Sequence, residues 1–108
     1  LCQRGITAPF TNNINSRFIP DILSIIQLKK KYSHLPVIFD PSHSTFDRLY
    51  VTDIAKAAVA AGADGIILDV HPDPPKALVD PLQALDYENF SKLMKDLKQV
   101  AKSIGRDL

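Results

Sequence analysis

The stretch LPVIFDPSH, residues 35–43, decides the fold together with GIILD, residues 65–69. Each is a short apolar run without alternation, as expected for a parallel strand covered on both faces, and each ends in polar residues. One helix-length segment separates the two runs, which predicts a right-handed βαβ unit. The carboxyl ends of both strands then meet at one edge of the sheet, where ligands and catalytic groups collect. His43 and Asp69 are therefore predicted to share a polar site that can bind a metal.

Composition limits the class of protein. The 108 residues correspond to one domain at most, and the formal net charge of +1 comes from 13 basic and 12 acidic residues scattered along the chain. Such a distribution indicates no binding to nucleic acid or to an anionic membrane. Cys2 is the single cysteine, which excludes an intrachain disulfide and favours a reducing, cytoplasmic location. No apolar stretch approaches the roughly 20 residues that span a bilayer.

Three helices are predicted from apolar residues at helical spacing. The first covers residues 20–32, since Pro20 suits a first helical turn. The second covers residues 49–61, with Gly62 available as a left-handed terminator. The third follows Asp86, a good N-cap, and ends before Gly105. With a strand end at residues 1–6, the predicted order is strand end, helix, strand, helix, strand, helix.

This order leaves an unpaired sheet edge and one sheet face that three helices cannot cover. We therefore expect the chain to be part of a larger folded unit. A closed (β/α)₈ barrel, or TIM barrel, typically needs about 250 residues, so the predicted fold is α/β, the C-terminal portion of such a barrel, about its last three β/α units. An open doubly wound sheet is the rival architecture, but the sequence has no Gly-rich phosphate loop.

Three motifs, in this order, carry a resemblance to a known family. They are LCQRGI at residues 1–6, LPVIFDPSHST at residues 35–45 and DVHPDPPKALVD at residues 69–80. Together they resemble the C-terminal part of 3-deoxy-7-phosphoheptulonate (DAHP) synthase, of the subgroup related to 3-deoxy-manno-octulosonate 8-phosphate synthase. The resemblance covers essentially the whole chain, from the end of the sixth barrel strand to the eighth helix. The DPSH motif favours the heptulonate enzyme, because the octulosonate relative tends to carry DATH here.

The resemblance implies an aldol-type condensation of phosphoenolpyruvate with erythrose 4-phosphate, which releases phosphate in the first step of the shikimate pathway. It also implies a divalent metal held by a cysteine, a histidine, a glutamate and an aspartate. His43 matches the histidine, Asp69 stands at the glutamate position, and Asp80 matches the aspartate. The cysteine ligand belongs to an early strand and is absent here, and Cys2 matches a different family cysteine. Manganese, iron and zinc all suit imidazole and carboxylate ligands.

Further residues are candidates for the substrate. Arg4 matches the family arginine that helps to hold phosphoenolpyruvate. The alternative interpretation is that Arg4 is a surface arginine without a binding role. Ser44 and Arg48 follow the seventh strand and could meet a substrate phosphate, although a solvated loop is as good an interpretation. Asp40 is expected to orient basic side chains near the site. His71 is the weaker histidine, since strand alternation would turn it away from the site.

Three departures from the family pattern affect the site: Asp69, the residues Gln3 and Phe46, and the truncation of the chain. Gln3 stands where the family often has glutamate. Asp69 is one methylene shorter than the usual glutamate, so a metal must shift, accept a water or bind more weakly. Phe46 stands where the family often has glycine. The other substrate-binding residues would lie upstream, so we expect the isolated chain to be inactive and to form a homo-oligomer or to associate with the missing N-terminal half. Two alternatives stay open: the octulosonate synthase, and a non-catalytic half-barrel that acts as an assembly module.

Overall fold

The computed structural model describes residues 1–8 and 18–108. The sequence predicts a loop over residues 7–17. Thr7 lies in a short strand instead, because it pairs with Phe18, and residues 9–17 lie outside the described residues. The elements, in chain order, are the strands β1 (Cys2–Gln3), β2 (Ile6–Thr7), β3 (Phe18–Ile19), β4 (Ile38–Phe39) and β5 (Gly65–Ile66) and the helices α1 (Ile22–Lys31), α2 (Pro41–Thr45), α3 (Arg48–Ala60) and α4 (Tyr87–Ser103). A 3₁₀ turn covers Pro74–Lys76.

A three-stranded parallel sheet forms the centre of the molecule, in the order β1-β4-β5. Ile38 in β4 pairs with Cys2 on one side and with Gly65 on the other. This arrangement confirms the predicted βαβ connection. Strand β4 is shorter than the predicted run of residues 35–39. Pro36 has no N–H to donate before the strand, and α2 begins at Pro41, two residues after the last residue of β4.

The helices lie close to their predicted positions. Helix α1 begins at Ile22, later than predicted, because the Asp21 carboxylate caps it by accepting a hydrogen bond from the backbone N–H of Ser24 at 3.1 Å. Helix α4 begins after Asp86 as predicted, and that side chain accepts from the backbone N–H of Asn89 at 2.7 Å. No helix in the described part of the chain is long and apolar enough to cross a membrane.

Helix α2 was not predicted, since its residues were assigned to a loop. Asp40 is its N-cap, and the carboxylate accepts from the backbone N–H of His43 at 3.0 Å. Pro41 occupies the first helical position, where a missing N–H costs nothing. A capped turn of five residues is too short to show an apolar stripe, so periodicity does not reveal it. It turns His43 back over the end of the sheet.

Helix α3 separates two buried apolar clusters. One lies between α3 and α4 and the other between α1, α3 and the sheet. Their buried members are Val51, Ala55, Val59, Leu85, Leu93, Leu97 and Ala101 in the first, and Ile25, Val37, Phe39, Ala58 and Ala63 in the second. Both clusters lie on the helix-covered side of the sheet. On the other side Cys2 and Ile67 are exposed, as expected for a sheet with one open face.

A close approach of three segments occurs at Gly5. Its φ is +95°, and an added Cβ would lie 2.9 Å from the Cβ of Phe18 and 3.2 Å from the Cα of Ser44. A side chain would therefore meet both a strand of the antiparallel pair β2-β3 and the backbone of α2. Glycine is required here for its backbone conformation and for the space.

Candidate active site

Three potential metal ligands converge at the carboxyl edge of the sheet. The side chains of His43, Asp69 and Asp80 each offer one donor atom, and these atoms lie within 4.8 Å of one another. His43 comes from α2, Asp69 follows β5, and Asp80 lies in the segment that leads to α4. The Nε2 atom of His43 is 3.4 Å from Oδ2 of Asp80. The predicted convergence is confirmed, and one imidazole with two carboxylates is a donor set suited to manganese, iron or zinc.

The orientation of the His43 ring is set by Asp40. Asp40 is only 4% exposed, and its Oδ2 atom lies 2.9 Å from Nδ1 of His43. An ionised carboxylate can only accept hydrogen bonds, so Nδ1 is the ring nitrogen that donates to Asp40, and Nε2 is the ring nitrogen that faces Asp80. A carboxylate behind a histidine in this way is a common support for a metal-binding imidazole.

The same carboxylate holds Arg4. The distance from Nε of Arg4 to Oδ2 of Asp40 is 3.0 Å, and the arginine side chain is 56% exposed. Asp40 therefore joins a guanidinium and an imidazole at one buried oxygen, as predicted from its place after β4. Arg4, His43 and Asp69 line the same depression on the open face of the sheet. A phosphorylated anion bound there would meet a planar cation beside the candidate metal ligands.

Asp69 is held by two buried polar side chains that were not predicted. The side-chain amide of Gln83 donates to Oδ2 of Asp69 at 2.8 Å, and the backbone N–H of Asp69 donates to Oγ of Ser42 at 3.0 Å. Ser42 and Gln83 are 0% and 2% exposed. Ser42 lies beside His43 in the DPSH motif, which is a usable signal. Gln83 has no comparable signal, because only the tertiary fold brings it near Asp69.

Asp80 has an unusual backbone conformation. Its φ is +53°, a region that residues other than glycine rarely adopt. Its carbonyl accepts from the backbone N–H groups of Gln83 at 3.3 Å and Ala84 at 3.4 Å, so a tight turn follows it. Leu85 then donates its N–H to the carbonyl of Asp69 at 2.9 Å. The turn that presents Asp80 is thus hydrogen-bonded to the backbone that presents Asp69.

Phe46 also has a positive φ, of +55°, at the C-cap of α2. This conformation explains why glycine suits the position. The Phe46 ring stacks on Phe18, with centroids 5.2 Å apart, and meets the His43 ring edge-on at 6.3 Å. The left-handed backbone costs about 1–2 kcal/mol for a residue with a Cβ, and an aromatic pair returns about 0.5–1.5 kcal/mol. The ring contacts offset most of the backbone strain beside His43.

The other predicted substrate contacts have structural partners. Ser44 is fully buried, and its hydroxyl donates to the carbonyl of Pro41 at 3.3 Å. The Arg48 guanidinium donates to the carbonyls of Pro81 at 2.6 Å and Leu82 at 3.3 Å. These bonds fasten the start of α3 to the turn after Asp80. Contact of Ser44 or Arg48 with a substrate phosphate stays a prediction that these bonds do not favour.

His71 and Cys2 stand apart from the three converging side chains. The Nδ1 atom of His71 accepts from the backbone N–H of Asp73 at 3.0 Å, a local turn contact, and the histidine is not among the converging donors. Partial desolvation by the neighbouring groups and the nearby Asp40 charge raise the pKa of the Cys2 thiol, although the residue is exposed and Arg4 acts in the opposite direction. A raised pKa keeps the thiol protonated, which makes it a poor nucleophile and a poor ligand.

The chain is similar to known proteins along most of its length. Residues 1–105 match the DAHP synthetase I family. The chain is 45% identical over 105 residues to the phospho-2-dehydro-3-deoxyheptonate aldolase of Thermotoga maritima, covering 97% of this chain and 30% of that protein. It is 34% identical over 109 residues to the 2-dehydro-3-deoxyphosphooctonate aldolase of Magnetococcus marinus, covering 91% and 36%.

Solved structures give the same result. The crystal structure of the Thermotoga maritima DAHP synthase superposes with a TM-score of 0.86 at 42% identity, covering 98% of this chain and 30% of that one. A truncated form of 3-deoxy-D-arabino-heptulosonate 7-phosphate synthase from the same organism gives the same TM-score and covers 39% of its own chain. The chain thus spans about a third of the length of these relatives. By sequence and by structure, it belongs to the DAHP synthetase I family.

Proposed function

We propose that residues 1–108 form the C-terminal part of a single (β/α)₈ barrel enzyme, comprising about its last three β/α units. The parent enzyme would condense phosphoenolpyruvate with erythrose 4-phosphate to give 3-deoxy-7-phosphoheptulonate and phosphate, the first step of the shikimate pathway. One observation carries the proposal: His43, Asp69 and Asp80 converge within 4.8 Å, at the sheet edge where Arg4 also lies. The cytoplasmic location predicted from the sequence belongs to the same proposal.

His43, Asp69 and Asp80 would hold a divalent metal, and the donor set fits manganese, iron or zinc. When bound, such an ion supplies Lewis-acid polarisation of an aldehyde oxygen. Asp40 keeps the ring proton of His43 on Nδ1 and so keeps Nε2 available as a ligand atom. The carboxylates of Asp69 and Asp80 contribute negative charge that favours a divalent cation.

Arg4 would bind the phosphate or carboxylate of phosphoenolpyruvate. Its guanidinium is exposed on the open face, while its Nε is held by the buried Asp40 carboxylate. This anchor restricts the long side chain and reduces the entropy lost when an anion binds. In the reaction, the C2=C3 π electrons of phosphoenolpyruvate form the bond from C3 to the aldehyde carbon, and the aldehyde oxygen takes up a proton to become a hydroxyl. Water adds at C2 and loses its protons, and the C2–O bond to phosphate breaks, which leaves a ketone and free phosphate. Holding both substrates in register is the main contribution expected of such residues.

The sheet described here would be completed by other strands. Strands β1 and β5 each pair on one side within the described residues, and apolar side chains such as Ile67 are exposed on the open face. We propose that the rest of the barrel covers this face, or that a second copy of the chain does. A chain that relies on such a partner should have negligible synthase activity by itself.

The test is phosphate release by the full-length protein from phosphoenolpyruvate with either erythrose 4-phosphate or arabinose 5-phosphate. We expect turnover with erythrose 4-phosphate, loss after dialysis against EDTA, and recovery with Mn²⁺. Preference for arabinose 5-phosphate would instead support an octulosonate synthase, a candidate favoured by the relatives at 30–34% identity. His43→Ala should abolish turnover, whereas His34→Ala, at an exposed position, should not. Absence of turnover with both sugars would refute the proposal.

A further inference from the structure

We propose that Gln83 is a positioning residue of the metal centre and acts through Asp69. Its side-chain amide would keep the Asp69 carboxylate turned toward His43 and Asp80. The inference rests on the proposed metal site, which it deepens by assigning a role to a residue that is not itself a ligand.

The contact is built into the protein interior. Gln83 is 2% exposed, whereas the Asp69 side chain is 37% exposed. Because water could satisfy the Asp69 carboxylate in several rotamers, its geometry depends on a partner that cannot move. The buried amide is such a partner, and the distance from its Nε2 to Oδ2 of Asp69 is 2.8 Å. A hydrogen bond to a charged acceptor is among the stronger kinds in proteins.

Electrostatics adds a second reason. Asp69 and Asp80 present like charges at a short separation, so without a cation each carboxylate tends to turn away from the other. An N–H donor on Oδ2 of Asp69 reduces this tendency before a metal binds. A preorganised ligand loses less conformational entropy on binding, which raises metal affinity.

The backbone ties this partner to the other acidic side chain. Gln83 donates its N–H to the carbonyl of Asp80 at 3.3 Å, so the two residues are the ends of one tight turn. The bond from Leu85 to the carbonyl of Asp69 pins that turn beside the end of β5. Gln83 thus fixes the position of Asp69 relative to the turn that carries Asp80.

The first experiment replaces the amide with an apolar group of similar size. Gln83→Met in the full-length protein is compared with the native protein and with Gln99→Met, a matched control at an exposed position of α4. Mn²⁺ affinity is measured by isothermal titration calorimetry. We expect Gln83→Met to weaken Mn²⁺ binding about 10- to 100-fold and the control to bind as the native protein does.

A double-mutant cycle separates positioning from a general structural role. If Gln83 acts through Asp69, Gln83→Met should have little effect on Mn²⁺ affinity in an Asp69→Ala background, measured up to millimolar Mn²⁺. A purely structural defect would weaken binding equally in both backgrounds and would overturn the inference. Thermal melts of the metal-free proteins identify variants that do not fold. If Gln83→Met is one of them, Gln83→Asn, which withdraws the amide by one methylene, should give the same weakening.

The outcomes distinguish this inference from the proposed function. Tight Mn²⁺ binding by both the native protein and Gln83→Met would overturn the positioning role and leave the metal centre standing. Absence of Mn²⁺ binding by the native protein would overturn the metal centre, and the inference with it. Synthase turnover is measured separately and enters neither conclusion.

Discussion

Replacing Asp40 with asparagine should change which nitrogen of His43 carries the proton. In Asp40→Asn, the side-chain oxygen can still accept from the His43 backbone N–H, so the cap of α2 is retained. The amide nitrogen replaces Oδ2 and faces Nδ1 of His43 at 2.9 Å and Nε of Arg4 at 3.0 Å. Two donors cannot bond to each other, so the imidazole proton should move to Nε2 and occupy the candidate ligand atom.

The size of the effect follows from the bonds that are lost. A hydrogen bond to a charged group contributes about 1.5–3 kcal/mol, and the bond to the exposed Arg4 contributes at the low end because water screens it. We therefore expect the free energy of unfolding to fall by about 3–4 kcal/mol. Mn²⁺ affinity should fall by about 10- to 100-fold, as is typical when the partner of a metal-binding histidine is removed.

Two measurements on the full-length protein check this prediction. Nitrogen-15 NMR of the histidine ring reports whether Nδ1 or Nε2 is protonated, and calorimetric titration gives the Mn²⁺ affinity. Asp53→Asn is the matched control, since Asp53 is exposed on α3 and pairs with Lys56. Native Mn²⁺ affinity in Asp40→Asn, with the His43 proton still on Nδ1, would show that the reasoning is wrong.

Three further changes have defined outcomes. Burial raises the pKa of Asp64, but hydrogen bonds from Lys29 and the Val37 N–H outweigh it and hold that pKa below its ordinary value of 3.8. The stabilisation is therefore present above about pH 4 and lost as the pH falls below it, so Asp64→Asn should cost about 1–2 kcal/mol at pH 7 and much less at pH 3. Equal urea midpoints for Asp64→Asn and the native protein at pH 7 would contradict this prediction. Phe46→Ala keeps the left-handed strain and loses the Phe18 contact, so it should be about 1 kcal/mol less stable than Phe46→Gly, the reverse of the usual order; urea unfolding of the two variants decides. Mn²⁺ at a hundredfold excess over its Kd should raise the free energy of unfolding by about 2.7 kcal/mol, and an unchanged thermal midpoint would exclude a site formed only in the folded protein.

The convergence of His43 and Asp69 could be predicted because it depends on topology. Two apolar runs and an intervening helix place both strand ends at one edge, whatever the details of packing. The caps at Asp86 and Gly62 were predictable for the same kind of reason, since local backbone chemistry determines them. The start of α1 was misjudged by two residues because Asp21 competes with Pro20 as the first signal, and the side-chain cap decides.

The supporting contacts of the site could not be predicted. Gln83 reaches Asp69 across 14 residues of chain, and the bond depends on a turn whose first residue has a positive φ. The residue types at Asp80 and Phe46 do not predict the positive φ that each residue has. Helix α2 is too short for periodicity to reveal. Topology therefore predicted that His43 and Asp69 converge, the family resemblance added Asp80, and the tertiary backbone was needed to find the residues that hold them.

Gly5 limits the sequence changes that this site can accept during evolution. Gly5 directly follows Arg4 and would touch Ser44, the neighbour of His43, if it gained a single methyl group. Arg4, the candidate anion-binding residue, and His43, a candidate metal ligand, are thus separated by a gap with no room for a side chain. In a saturation library, position 5 should accept almost no substitution, while the exposed surface of α4 accepts many. The spacing between the Arg4 guanidinium and the His43 ring can therefore widen only if the first strand and the short helix α2 are rebuilt together.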